Sequence, residues 1–210
     1  MINKLIKTIA FCALTLNATG QTFEGKISYS NTYESKIANL KSEQLDMMMG
    51  TRQDYYIKSN SYKSVVNGSF LKMQLYEPLE NKAYTLTGAN DTLYWEDCSI
   101  NKDEAIKYEL QKNKEVILGI TCDVLIIEGA KSKTYYYFNS KYGVDPELFK
   151  GHNYLNWYYT ISKTKALPLK TVYDSEQFTL TSTATEIKEQ KLEDNFFALP
   201  EKSKTAKAYW

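Results

Sequence analysis

The chain has 210 residues, 43% of them hydrophobic, with 26 basic against 25 acidic side chains and a formal charge of +1. That length suits one domain with a sizeable core, and the even balance gives no electrostatic case for nucleic acid or an anionic membrane surface. Arg52 is the single arginine, so bidentate phosphate recognition has almost no material.

The chain opens with Lys4 and Lys7, a short apolar run from Ile9 to Leu16, and the small residues Ala18-Thr19-Gly20 before Gln21. This is the pattern of a secretory signal peptide over residues 1–20. The run is too short to cross a bilayer, and no later stretch approaches ~20 apolar residues, so no transmembrane segment is expected. Residues 21–210 are expected to form one exported domain, periplasmic or secreted. Cys98 and Cys122 remain after processing. In an oxidising compartment the pair reads first as a disulfide, closing a loop of about 25 residues and contributing roughly 3 to 4 kcal/mol. Two buried thiols are the alternative. A metal or redox role lacks the Cys-x-x-Cys spacing and the neighbouring histidine it needs.

Phe23, Gly25, Ile27 and Tyr29 alternate with polar neighbours and predict a first strand over residues 22–30. Ile37, Leu40, Leu45 and Met48 then recur at helical spacing from Glu34 to Met49, with Gly50 as a stop. Short strands follow over 53–58, 61–66, 70–76, 82–87 and 92–95, with Asn67-Gly68 as a turn signal. Residues 101–113 are charged and suit a helical turn or two. Strands are expected again over 115–118, 121–128 and 133–139. A short helix with proline in its first turn is expected at Asp145–Phe149, then strands over 154–162, 167–174 and 178–187. Along this last strand Phe178, Leu180 and Ala184 share one face, and Thr179, Thr181, Thr183 and Thr185 the other. The fold class is mainly β (α+β), a curved antiparallel sheet forming an unclosed half-barrel, with the early helix covering its concave face.

Eighteen tyrosines stand out, several in runs such as Tyr55-Tyr56 and Tyr135-Tyr136-Tyr137. Neighbouring tyrosines in a strand point to opposite faces, so they serve the pleated surface first and an aromatic binding surface for glycan, lipid or peptide second. Catalytic groupings are scarce. His152 is the sole histidine, which excludes a multi-histidine zinc site. No nucleophile elbow surrounds a serine, and no glycine-rich loop leads into a helix. Two facing carboxylates of a glycan-processing enzyme would leave no mark in sequence. The expectation is a protein that is not an enzyme and takes neither metal nor cofactor.

Several stretches carry a family resemblance: the early helix after the first strand, Tyr56-Ile57-Lys58-Ser59-Asn60-Ser61-Tyr62, Asn67-Gly68 leading to Leu75-Tyr76-Glu77-Pro78, and the ending Leu192–Pro200. In their order they resemble the LolA-like periplasmic lipoprotein-carrier and sorting superfamily, in its Bacteroidota branches. The chain departs from that pattern at Ser59 and Asn60, where the carriers have arginine and proline. The resemblance implies a concave apolar face that accepts acyl chains. The residues expected to line it are Met47, Met48, Leu71, Met73, Leu75, Tyr84, Leu86, Leu93 and Trp95, with a lipid, a lipidated protein or another apolar ligand as partner. The alternative is an envelope interaction or structural module with a fully packed interior.

Overall fold

The computed structural model describes residues 22–210; the signal peptide expected over residues 1–20 lies outside the described residues. Twelve strands are present among the described residues: β1 Gly25–Ser35, β2 Arg52–Lys58, β3 Ser61–Val66, β4 Leu71–Glu77, β5 Lys82–Thr87, β6 Leu93–Asp97, β7 Lys107–Ile117, β8 Ile120–Glu128, β9 Ser132–Gly143, β10 Ala166–Ser175, β11 Phe178–Glu189 and β12 Thr205–Lys207. Two α-helices accompany them, α1 Ser42–Met49 and α2 Trp157–Thr164, with 3₁₀ turns at Pro146–Phe149, Tyr154–Asn156 and Asp194–Phe197.

All strands belong to one curved sheet in the order β12-β6-β5-β4-β3-β2-β1-β11-β10-β9-β8-β7. It does not close, leaving β12 and β7 as edges, which is the unclosed half-barrel that the alternating pattern predicts. Every pairing is antiparallel except β12 with β6. Two meanders, β2 to β6 and β7 to β11, are each built from neighbouring strands, and β1 joins them. It pairs with β2 from Gly25 opposite Ile57, and with β11 from Gly25 opposite Glu189.

The main core lies on the face we call inner. Ile27 of β1, with Ile57, Tyr76 and Ala83 of the first meander, meets Leu167 and Leu169 of the second across Phe149 and Ile161 of the β9–β10 connection. This connection, not α1, fills the curve. The sequence pattern predicts a strand over 154–162, yet the segment forms a 3₁₀ turn and α2. Its buried residues Thr160, Ile161 and Thr164 keep helical spacing, and packing overrides the strand preference of Trp157-Tyr158-Tyr159. Leu155 and Asn156 take left-handed backbone angles at the kink, φ 52° and 59°.

α1 is also shorter than the spacing predicts. Glu34 pairs with Thr179 at the end of β1, so helix begins only at Ser42. Its entry is capped by Gln44, whose Oε1 accepts from the Lys41 backbone N–H at 2.9 Å. Its exit is held by the β3–β4 turn, where the Ser69 and Phe70 N–H groups donate to the Met47 and Met48 carbonyls. Gly68 permits that approach, since a Cβ there would collide with the Met48 carbonyl. The charged stretch over 101–113 forms a loop and the start of β7 rather than helical turns.

Candidate functional site

The structure brings together most of the apolar residues expected to hold a ligand, but on the outer face and under cover. Leu75, Tyr84 and Leu93 are buried in one cluster with Phe197, and Met73, Leu86 and Trp95 pack against it. Alternation explains this: Tyr56 faces this cluster while Tyr55 and Ile57 belong to the inner core. The cover is the segment after β11. Phe196 meets Tyr56 edge-on at 4.8 Å between centroids, and Lys63 lies over the Phe196 ring at 4.5 Å. Lys58 ties the segment down, donating to the Leu192 carbonyl at 2.6 Å and pairing with Asp194 at 2.7 Å. Leu71 stands half-buried at the start of β4. Met47 and Met48 are 62% and 38% exposed, because α1 turns Leu45 inward instead.

Cys98 and Cys122 are free thiols, which corrects the expected disulfide. Both are fully buried in the main core. Cys98 follows β6 and Cys122 lies in β8, at opposite ends of the strand order, so only the curl of the sheet brings them into one cluster. Burial pushes the Cys98 thiol up to about 12 and raises Cys122 as well, which removes their nucleophilic form at neutral pH.

His152 is equally unsuited to catalysis. It is fully buried, and desolvation pulls it down to about 3. Its Nε2 lies 2.8 Å from Tyr62 Oη, its ring stands 4.2 Å from that of Tyr76, and its Nδ1 has no hydrogen-bond partner. Among the described residues no group of three or more His, Cys, Asp or Glu could hold a metal ion.

The inner face carries a different feature. Register places Tyr55 opposite Ser64, Ser64 opposite Gln74, Gln74 opposite Thr85 and Thr85 opposite Tyr94, one continuous uncharged row across β2 to β6. Gln53, one step along β2, donates from Nε2 to Ser64 Oγ at 2.9 Å. Trp157 of α2 leans over the row, 6.4 Å from Tyr55 between centroids. The Tyr55 hydroxyl and the Trp157 indole N–H are buried polar atoms with no hydrogen-bond partner in the protein. Asn31, 3% exposed in the neighbouring β1, leaves its Oδ1 in the same condition. Buried polar groups are nearly always paired, and leaving one unpaired costs about 1 to 3 kcal/mol. Desolvation keeps the Tyr55 hydroxyl protonated, with a pKa well above the ordinary tyrosine value.

A depression of about 280 Å³ lies beside the β6–β7 loop, lined by Ser99, Asn101, Glu104, Asn153, Asn156 and Tyr159. Its amides serve the backbone: Asn156 Oδ1 accepts from Asn101 Nδ2 at 2.7 Å and from the Ala105 N–H at 3.1 Å, while its Nδ2 donates to the Asp103 carbonyl. They clamp the loop to the kink at Asn156.

No family model matches the chain, and no curated protein matches it. Among solved structures it is similar to PNGF-II in two crystal forms, each at 14% identity over 89% of this chain, with TM-scores of 0.50 and 0.49. The chain spans about a third of those proteins, 31% and 32% of their length. At that identity the likeness in the first form is one of fold.

Proposed function

We propose that the protein is an exported, non-catalytic binding module whose inner face takes an uncharged, hydrogen-bonding ligand. The observation that carries this reading is the uncharged row from Tyr55 to Tyr94, in and beside which the half-buried Gln74 and Gln53 hold amide groups. An acyl chain laid on that row would strip water from Gln53 and Gln74 without replacing their hydrogen bonds, at about 1 to 3 kcal/mol for each group. The chemical groups that usually drive hydrolysis are engaged elsewhere: His152 is buried and held neutral, and Glu96 accepts from Tyr154 Oη at 2.7 Å and pairs with Lys102 at 3.0 Å.

Acyl-chain binding on the outer apolar set is the second reading, favoured by the clustering of Leu75, Tyr84, Leu93 and Trp95. It requires the segment carrying Phe196 and Phe197 to move away. Native mass spectrometry of protein recovered from an envelope extract separates the two. A polar adduct that disappears in Ser64→Leu is expected. A phospholipid-mass adduct retained by Ser64→Leu would put the acyl-chain reading in its place.

A further inference from the structure

We infer that the β3–β4 turn modifies itself: Asn67 converts to aspartate and isoaspartate through attack of the Gly68 backbone nitrogen on the Asn67 side-chain amide. Asn67-Gly68 is the one Asn-Gly pair in the chain. Glycine in the second position leaves the attacking nitrogen without a neighbouring Cβ to obstruct it. The fold adds to what the pair brings. Asn67 is exposed, so hydroxide and water reach its amide. The Gly68 N–H has no hydrogen-bond acceptor among the described residues and is free to lose its proton. The Asn67 side chain is held in place, with Oδ1 accepting from the Arg52 N–H at 2.9 Å and Nδ2 donating to Thr51 Oγ1 at 3.4 Å. Gly68 N and Asn67 Oδ1 both border the spot that a Cβ on Gly50 would fill, 2.6 and 2.9 Å from it, so nucleophile and amide lie on one side of the turn.

The reaction balances with water as its co-reactant. Hydroxide takes the Gly68 amide proton, the nitrogen bonds to Asn67 Cγ, and negative charge gathers on Oδ1, where the Arg52 N–H already donates. The Cγ–Nδ2 bond then breaks, and ammonia leaves with a proton from water, which regenerates hydroxide. Water opens the cyclic imide that results. Attack at Cγ gives aspartate, whereas attack at the main-chain carbonyl gives isoaspartate, whose backbone path runs through Cβ and is longer by one atom. That atom falls just before the two bonds that hold the exit of α1, from the Ser69 N–H to the Met47 carbonyl at 2.7 Å and from the Phe70 N–H to the Met48 carbonyl at 2.9 Å. Gly68 already packs against the Met48 carbonyl too closely for a Cβ, so the turn has no slack to absorb the added length. Isoaspartate therefore frees the end of α1, while aspartate keeps both the chain length and an oxygen for the Arg52 N–H.

The test is prolonged incubation of the folded protein, with a sample unfolded in urea alongside, followed by peptide mapping by mass spectrometry that separates the aspartyl from the isoaspartyl product. In the folded sample Asn67 is expected to convert before any other asparagine, about tenfold or more faster at about pH 9 than at about pH 7, because hydroxide generates the nucleophile. Hydrogen exchange of the isoaspartyl fraction is expected to show lost protection at Ser69, Phe70 and the amides of α1. Asn67→Asp carries the new charge without the longer chain and is expected to keep those amides protected. Conversion in urea but not in the folded sample would overturn the inference, since the turn would then guard the pair. Unchanged exchange in the isoaspartyl fraction, or lost protection in Asn67→Asp, would overturn the release of α1 by chain length.

Discussion

His152 shows how a single buried group ties stability to pH. Its pKa lies at about 3 in the fold, against 6.5 for the exposed group, so between those values the unfolded chain binds the proton more readily. The stabilisation is fully present above pH 6.5 and is lost as pH falls from there toward 3. At pH 4.5 the protein is expected to be about 2 to 3 kcal/mol less stable than at pH 7.5 on this account. Denaturant titrations at the two values measure it, and His152→Phe should remove that share of the slope; an unchanged slope in the variant would refute the assignment. The thiols give a second test. Native protein at pH 8 should resist an alkylating reagent at Cys98 and Cys122, and unfolded protein without reductant should be labelled at both. Labelling only after reduction would restore the disulfide. Cysteine usage in a chain expected to be exported made the bridge the natural expectation, and nothing in a sequence reports which pockets two strands will occupy once the sheet has curled.

Elements depart from their expected roles where packing chooses between options that local pattern leaves open. Period-two alternation correctly grouped Leu75, Tyr84, Leu93 and Trp95, but alternation is symmetric between faces and says nothing of which one curves inward. The cover came from Phe196 and Phe197, far along the chain, and the inner fill from 146–164, whose aromatic residues read as strand. The polar row was visible only as the outward complement of the apolar set. Phe197→Ala should destabilise the protein by about 3 to 5 kcal/mol, as expected for a buried aromatic cut back to methyl. Met48→Glu, at the exposed side of α1, should change stability by less than about 0.5 kcal/mol, measured in the same denaturation assay.

At the scale of the molecule the sheet must manage two open edges. β7 is long, but lysines and a break in register between Gln111 and Glu115 make it a poor template for another strand. β6 is covered by the tail instead. The Leu93 N–H donates to the Lys204 carbonyl, and the Ala208 N–H to that of Trp95, while the Trp210 indole reaches Glu96. Deleting residues 204–210 is expected to expose β6 and raise self-association, read by sedimentation at increasing concentration; a monomer indistinguishable from the full chain would show that the tail protects nothing.

The place of β1 carries a consequence for assembly. Each meander zips from contacts close in sequence, whereas the seam between β1 and β11 brings together residues such as Tyr29 and Ala184 from opposite ends of the chain. Severing the backbone in the loop between β6 and β7 would yield two pieces, one ending its row of strands in β1 and the other in β11, each holding half of a zipper whose teeth fit only the other.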